Sequence, residues 1–168
     1  MEAGQSILVY PGGGREVAKR KGEAYKLIWK KRTGFARMAI QYGYSITPVA
    51  SVGAEECYTI HIDANDVVNS WIGKLLKKSG LLEKYLRNGD SIMPIATGMG
   101  PTLIPRPERF YFSFGKPIST KEFSGKEDDE KALWKVREKV EKALYSQIKE
   151  LQEIQSKDPN RHLIPHFL

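Results

Sequence analysis

The sequence is poor in cysteine and has no long apolar run. It contains one cysteine, Cys57, in 168 residues, which excludes an intrachain disulfide and a four-cysteine zinc site. The two longest uncharged stretches, 38–54 and 91–105, are interrupted by glycine and proline and are shorter than the ~20 apolar residues of a membrane span. Met1 is followed by Glu2 and no apolar run, so no signal peptide is expected. These absences favour a reducing environment and a soluble or peripheral chain.

Basic residues outnumber acidic residues, and the excess is concentrated in one segment. Lysine and arginine number 27 against 20 aspartates and glutamates, a formal net charge of +7. Residues 15–37 hold nine basic and two acidic residues, an excess equal to that of the whole chain. A field of this kind indicates an anionic partner, such as a phosphate, coenzyme A, an acidic lipid surface or a nucleic acid. An ordinary solvated helix face is the alternative. Nucleic acid is disfavoured because no recognised RNA- or DNA-binding motif is present.

Hydrophobic patterning predicts an α/β fold for the first part of the chain. Residues 6–10 (SILVY) indicate a buried strand that Pro11 ends. Residues 23–32 predict a short aromatic and basic helix, 33–42 predict a second helix, and 45–49 predict the next strand. A strand, helices and a strand within this length are typical of a βαβ unit, whose strands lie parallel.

The later part of the chain is predicted to be mainly helical. Residues 66–87 have helical spacing with a break at Gly80, and residues 91–107 indicate a long irregular connection. The alternating aromatic run 109–114 predicts a strand, and 128–155 predicts a long helix. We therefore expect one α/β domain over residues 1–168, with a mostly parallel sheet flanked by helices and a long C-terminal helix.

The motif P-G-G-G-R-E at residues 11–16 is the best candidate for a binding loop. Gly12, Gly13 and Gly14 would let backbone N–H groups approach an anion without Cβ obstruction, in front of a helix N-terminus. Arg15 would bind a phosphate or donor group, and Glu16 would orient it or an acceptor hydroxyl. Neither of the usual nucleotide-binding glycine patterns occurs, so this geometry alone indicates only an anion.

Four segments together resemble one family. The stretch VYPGGGREVAKRKGEAYKLIWKKRTGFARMAI, then ITPVASVG, RPERFYFSFGKPI and DPNRHLIPHFL, resembles the C-terminal half of the glycerolipid acyltransferase superfamily. Within it, the chain is most similar to the phytyl ester synthase and type-two diacylglycerol acyltransferase-like group. The resemblance covers nearly the whole chain and implies a partial α/β acyltransferase fold.

The resemblance also implies an activity and a set of site residues. The expected enzyme is an O-acyltransferase that moves an acyl group from a coenzyme A or carrier-protein thioester to diacylglycerol, phytol or a similar long-chain alcohol. No cofactor beyond that thioester co-substrate is expected, and no metal. The implied acceptor and phosphate motif falls on Pro11, Gly12, Gly13, Arg15 and Glu16. The implied I-x-P-V block, on Ile46, Pro48 and Val49, is expected to line the same cleft.

The family's catalytic His-x-x-x-x-Asp motif is missing from its expected place before the glycine loop. In that motif the histidine is the general base and the aspartate orients it. His61 and Asp66 match its letters but follow the loop, so a surface histidine before a helix capped by Asn65 or Asp66 is the favoured interpretation. His162 and His166 have metal-pair spacing, although a tail without a role is the favoured alternative. The chain is therefore expected to be truncated and inactive alone.

These residues also give expectations about surroundings. The segment 19–37 is expected to lie on anionic headgroups with Tyr25 and Trp29 at the interface. The protein is accordingly placed on the cytosolic face of the endoplasmic reticulum or of a plastid. A sheet without its first strands would expose an edge and an apolar face, which favours aggregation. A non-catalytic lipid or coenzyme A binding module is the alternative function.

Overall fold

The computed structural model describes residues 4–80 and 92–162. In chain order its helices and strands are α1 (Gly14–Val17), α2 (Gly34–Gln41), β1 (Val49–Val52), β2 (Thr59–Ile62), α3 (Ala64–Asn69), α4 (Trp71–Lys78), β3 (Ile95–Thr97), β4 (Tyr111–Phe114) and α5 (Glu130–Lys157). Short 3-10 turns lie at Ala54–Cys57 and Lys121–Phe123.

The described residues divide into two compact units. The long-helix unit contains residues 4–12, 29–52 and 110–158, and the loop unit contains residues 13–28, 53–80, 92–109 and 159–162. The polypeptide passes from the long-helix unit to the loop unit between Gly12 and Gly13, within the glycine motif. The expectation of a single domain stays a prediction.

The long-helix unit is built on α5. Asp129 caps this helix by accepting a hydrogen bond from the Lys131 N–H, which satisfies one of the first-turn donors. Apolar residues at three- and four-residue spacing give α5 one buried stripe. The hydrophobic core consists of residues from α2, the second 3-10 turn and α5: Ala36, Ile40, Phe123, Ala132, Leu133 and Val136.

An antiparallel pair of strands packs on α5. Val49 of β1 is opposite Phe114 of β4, and Val52 is opposite Tyr111. Because side chains alternate along a strand, Ala50 and Val52 are buried while Val49, Phe112 and Phe114 lie on the exposed face. Phe114 is 76% exposed. One face of this sheet is therefore covered by α5 and the other is aromatic and open.

The loop unit contains a second antiparallel pair and two consecutive helices. In this pair β2 lies beside β3, with a bulge between Ile60 and Ile62. Asp63 begins α3 with a capping box, since its carboxylate accepts from backbone N–H groups while Asp66 accepts from the Asp63 N–H. Ser70 ends α3 and caps α4 through the Gly73 N–H.

The predicted mostly parallel sheet is wrong, although the α/β class is right. Both described sheets are antiparallel pairs. A parallel βαβ unit needed a strand at residues 6–10, but this stretch forms no strand and its Ile7, Leu8, Val9 and Tyr10 side chains are exposed. β-branched composition makes a strand only where a neighbouring backbone pairs with it. Instead, β1 pairs with β4 from the distant aromatic run.

The predicted helix at residues 23–32 is also wrong. Tyr25 and Lys30 have positive φ values of 57° and 51°, which no right-handed helix contains. The helix predicted at 33–42, the strand predicted at 109–114 and the helix predicted at 128–155 are confirmed as α2, β4 and α5.

The helix predicted at 66–87 divides at Ser70 into α3 and α4, and its part beyond Gly80 lies outside the described residues. The predicted irregular connection at 91–107 contains β3. No helix among residues 4–80 and 92–162 is long and apolar enough to cross a membrane.

Candidate functional site

The glycine motif forms a turn that leads into a single helical turn. Gly13 has a φ of 55° and a ψ of −147°, a combination that a residue with a Cβ rarely adopts, so this position favours glycine. Gly14 begins α1 and is exposed, and a Cβ built on it would meet nothing within 4 Å. Because α1 has only four residues, the helix-dipole contribution expected for this loop is small.

Arg32 holds the start of the motif within the long-helix unit. Its Nη1 donates to the carbonyl oxygen of Pro11 at 2.8 Å and to that of Gly12 at 2.7 Å. Gly12 is buried. A guanidinium that binds two successive carbonyls fixes the direction in which this backbone runs. Arg32 is therefore a positioning residue that the sequence argument counted only as charge.

Arg15 holds the end of the motif within the loop unit. Its Nη2 donates to both carboxylate oxygens of Glu23, at 2.6 and 2.7 Å, and its Nη1 donates to the Ala18 carbonyl at 3.0 Å. The Arg15 side chain is 8% exposed. These contacts give Arg15 a structural role. Binding of a phosphate or donor group by Arg15 stays a prediction, and it would have to use the guanidinium from within this ion pair.

Glu23 is the partner that fixes this corner of the loop. Its carboxylate also accepts from the Arg20 N–H at 2.7 Å. Burial acts to raise the pKa of Glu23, but the bonds from Arg15 and Arg20 and their positive charge outweigh it and lower the pKa. Glu23 is therefore ionised throughout the physiological range.

Glu16 closes the far side of the same loop. Its Oε1 accepts from the Ile28 N–H at 2.8 Å. The bond ties two backbone segments twelve residues apart and uses a donor that a helix at 23–32 would have needed. Glu16, like Arg15, turns its side chain to the base of the loop. Its predicted role toward an acceptor hydroxyl stays a prediction.

Several basic residues of the segment 15–37 form ion pairs with acidic residues that lie later in the sequence. These pairs were not predicted from the sequence. Lys19 pairs with Glu55, and Lys21 pairs with Asp66 at 2.7 Å. The Tyr25 hydroxyl donates to the Glu56 carboxylate at 2.5 Å. Burial and the Glu56 carboxylate raise the pKa of Tyr25. The consecutive Glu55 and Glu56 were the available signal, but only their proximity in the fold reveals the pairing.

Trp29 is a core residue, and its predicted place at a membrane interface is wrong. It is 1% exposed and packs edge-on against Phe35 with ring centroids 5.3 Å apart. The Arg137 guanidinium lies between Trp29 and Trp134, 5.6 and 4.4 Å from the two ring centroids. Tyr25 is partly buried and donates to Glu56, and its predicted place at the interface stays a prediction.

His61 and Asp66 have separate hydrogen-bond partners, and their catalytic role stays a prediction. The His61 Nε2 lies 2.8 Å from the Thr97 hydroxyl on the neighbouring strand. The Asp66 carboxylate binds Lys21 and the Asp63 N–H. The N-cap is Asp63, not Asn65 or Asp66 as expected from the sequence. Their matching spacing therefore comes from a strand followed by a capped helix.

His162 is paired with a carboxylate within the loop unit. Its Nδ1 lies 2.8 Å from Glu108 Oε1, and its Nε2 accepts from the Arg161 Nε–H at 2.9 Å. His166 lies outside the described residues, so the possible pair with His162 stays a prediction. In the part of the chain that the structure describes, no three His, Cys, Asp or Glu side chains are grouped to hold a metal.

Two further residues of the sequence analysis have defined surroundings. Pro48 is buried in the long-helix unit, where its carbonyl accepts from the Gly115 N–H at 2.8 Å. Its predicted position in the cleft of the glycine loop stays a prediction.

Cys57 is buried. This burial, and to a smaller extent the nearby Glu108 and Glu56 carboxylates, raises the pKa of its thiol. A thiol in this state is a poor nucleophile.

The glycine loop exposes backbone at Gly14, while the side chains of Arg15 and Glu16 form hydrogen bonds within the loop unit. Arg15 and Glu16 bind within the loop, while Gly14 is exposed and has open space where a side chain would be. Bare backbone at an exposed glycine can approach a ligand more closely than any other residue allows. Binding of the oxygen-rich end of a substrate by this backbone stays a prediction.

Comparison with known proteins matches this chain to an enzyme family. The family model described as diacylglycerol acyltransferase matches residues 1–160. The chain is 39% identical to chloroplastic phytyl ester synthase 2 of Arabidopsis thaliana over 96% of this chain and 24% of that protein. It is 31% identical to chloroplastic phytyl ester synthase 1 of the same plant, over 98% of this chain and 24% of that protein.

A fungal relative extends the likeness. Diacylglycerol O-acyltransferase 2A of Umbelopsis ramanniana is 30% identical over 68% of this chain and 31% of that protein. No solved structure matches. The chain spans about a quarter of the length of the two plant relatives. On the match over residues 1–160, the chain belongs to the diacylglycerol acyltransferase family.

Proposed function

We propose that this chain is the acceptor-binding part of a lipid O-acyltransferase. The observation that carries the proposal is the family match over residues 1–160, which includes the whole glycine motif. The acyl donor is a coenzyme A or carrier-protein thioester, and the acceptor is a long-chain alcohol. The names of the relatives support phytol or diacylglycerol as the acceptor class.

The proposed chemistry needs a base to activate the alcohol. The acceptor oxygen attacks the thioester carbonyl carbon, the C–S bond breaks, and the proton taken from the hydroxyl passes to the departing thiolate. The loop backbone at Gly13 and Gly14 holds the oxygen-rich end of a substrate. Arg15, Glu16 and Glu23 keep the loop in shape from below. The base comes from outside the described residues or from another polypeptide.

Surroundings and location follow from the substrates. Both substrates carry long acyl or prenyl chains, so the reaction takes place at a lipid surface. The cytosolic face of the endoplasmic reticulum and the plastid both fit such substrates. The names of the plant relatives favour the plastid.

A second candidate is a non-catalytic lipid or coenzyme A binding module. One observation favours it: both histidines in the described ranges have Nε2 already bound, His61 to the Thr97 hydroxyl and His162 to the Arg161 Nε–H. A chain with the loop but no base would bind a thioester without turning it over.

A domain exchange tests the proposal. The matched quarter of Arabidopsis phytyl ester synthase 2 is replaced by this chain, and phytyl ester formation is measured. We expect the exchanged enzyme to form esters, Gly14→Leu to abolish this activity, and Gly34→Leu to leave it intact, because both glycines begin a helix and have open space around them. An exchanged enzyme that folds but forms no ester would contradict the acyltransferase assignment. The Gly34 variant is the folding control for the Gly14 variant.

The domain exchange separates the two candidates, and the chain alone tests whether the base is external. We expect it to bind acyl-coenzyme A and to form no ester. If it forms ester and His61→Ala abolishes the reaction, the base is His61, and the proposal of an external base is wrong.

A further inference from the structure

Helix α4 has three exposed apolar side chains. Trp71 is 76% exposed and Leu75 is 61% exposed, and Ile72 is also exposed. Tryptophan is highly buried on average, because its large ring gains the most from leaving water. Three large apolar side chains exposed within five positions therefore form a surface that lacks a partner among the described residues.

The packing of α4 explains why this face is outside. Gly73 is buried, and a Cβ built on it would lie 2.2 Å from the Val67 carbonyl oxygen and 2.4 Å from that of Val68. The glycine side of α4 is thus pressed against the last turn of α3. Trp71 and Leu75 each lie two positions from Gly73, or about 200° around the helix. They share the side opposite the contact with α3.

Positive charge borders the apolar face. Lys74 is three positions from Trp71, and Lys78 is three positions from Leu75, so each lysine lies beside an apolar neighbour on the helix surface. Lys74, Lys77 and Lys78 are all exposed, and α4 contains no acidic residue. Asp66 on α3 is already paired with Lys21. Among the described residues of α3 and α4, the charge next to the apolar face is therefore positive.

We propose that α4 is a docking helix for an anionic lipid surface. Trp71, Ile72 and Leu75 enter the boundary between headgroups and acyl chains, while Lys74 and Lys78 bind lipid phosphates. The charge of the face selects lipid over an apolar protein partner. This surface replaces the segment 19–37 as the membrane contact, and it does not depend on the glycine loop or on acyl transfer.

Tryptophan fluorescence of the whole chain reads this contact directly. Of the three tryptophans, Trp29 is buried and Trp71 is exposed. We expect vesicles of phosphatidylcholine with phosphatidylglycerol to shift the emission to the blue, and vesicles of phosphatidylcholine alone to shift it little. Trp71→Phe should remove the shift and keep most of the binding in a flotation assay, since the phenyl ring still enters the bilayer.

Charge and apolar variants test the two halves of the proposal. Lys74→Gln with Lys78→Gln should weaken binding by about 25-fold at low salt, since each lysine near an anionic surface gives about fivefold. Trp71→Ser should weaken it by about tenfold or more. The matched control, Lys142→Gln with Lys149→Gln on the exposed side of α5, should leave binding unchanged.

Three results would overturn the proposal. The first is no binding to anionic vesicles by a folded chain. The second is equal loss in the α4 and α5 lysine variants, which would make the attraction a property of net charge alone. The third is a dimer in sedimentation equilibrium that Trp71→Ser dissociates while vesicle binding stays constant, which would assign the face to a second copy of the chain.

Discussion

Removal of Arg15 should destabilise the glycine loop far more than removal of an exposed arginine. Breaking a fully buried ion pair by deleting one partner costs about 3–5 kcal/mol, and an exposed pair contributes about 0–1 kcal/mol. The Arg15 side chain is 8% exposed and that of Glu23 is 25% exposed, so this pair lies toward the buried limit. We expect Arg15→Ala to lower the free energy of unfolding by about 2–3 kcal/mol.

A double-mutant cycle in urea measures the pair itself. Arg15→Ala, Glu23→Gln and the double variant should give a coupling energy of about 1–2 kcal/mol, because residues in one ion-pair network are not additive. Arg37→Ala is the control, since Arg37 pairs with Asp128 at 3.3 Å but both side chains are exposed, and it should cost less than about 1 kcal/mol. Additive single variants, with Arg15→Ala no worse than Arg37→Ala, would refute the structural role of Arg15.

Three further predictions follow from the geometry. The pKa of Glu23 is lowered in the fold from its ordinary value of 4.5. The stability from its ion pair is therefore complete above that pH and is lost as the pH falls through the lower folded value. Glu23→Gln should flatten the acid limb of a plot of unfolding free energy against pH. Gly73→Ala should destabilise by about 1–3 kcal/mol in urea unfolding because the methyl group meets two carbonyls, whereas Gly34→Ala, in open space, should be neutral or stabilising. Phe112→Ser with Phe114→Ser should reduce aggregation and dye binding to the open sheet face without lowering secondary-structure content in circular dichroism, and an unchanged aggregation rate would locate the sticky surface elsewhere.

Elements with strong internal periodicity were predictable from the sequence. The apolar stripe of α5 and the aromatic alternation of β4 repeat often enough to define a buried face without knowledge of the partner. Residues 6–10 have equally good strand composition but no strand beside them. A strand depends on a second backbone that its own sequence does not contain, and β1 found that backbone in β4.

The glycine motif could be chosen as the candidate site from the sequence, but its internal contacts could not be predicted. The need for glycine at position 13 follows from its backbone, because a φ of 55° with a ψ of −147° is a combination that other residues rarely adopt. Whether Arg15 and Glu16 face a ligand or the base of the loop depends on Glu23 and on the Ile28 N–H, which the chain brings close by folding back on itself. For the same reason, the ion pairs of Lys19 and Lys21 could not be recognised before their acidic partners were known.

The most direct test of the account is the binding of acyl-coenzyme A to the chain in an isothermal titration. We predict that the chain binds the thioester, that Gly14→Leu weakens binding at least about tenfold because added methyl groups in a close contact cost about 1–3 kcal/mol, and that Gly34→Leu binds normally. No binding by the folded chain, or equal binding by the two variants, would contradict the claim that the bare backbone of the glycine loop receives the substrate.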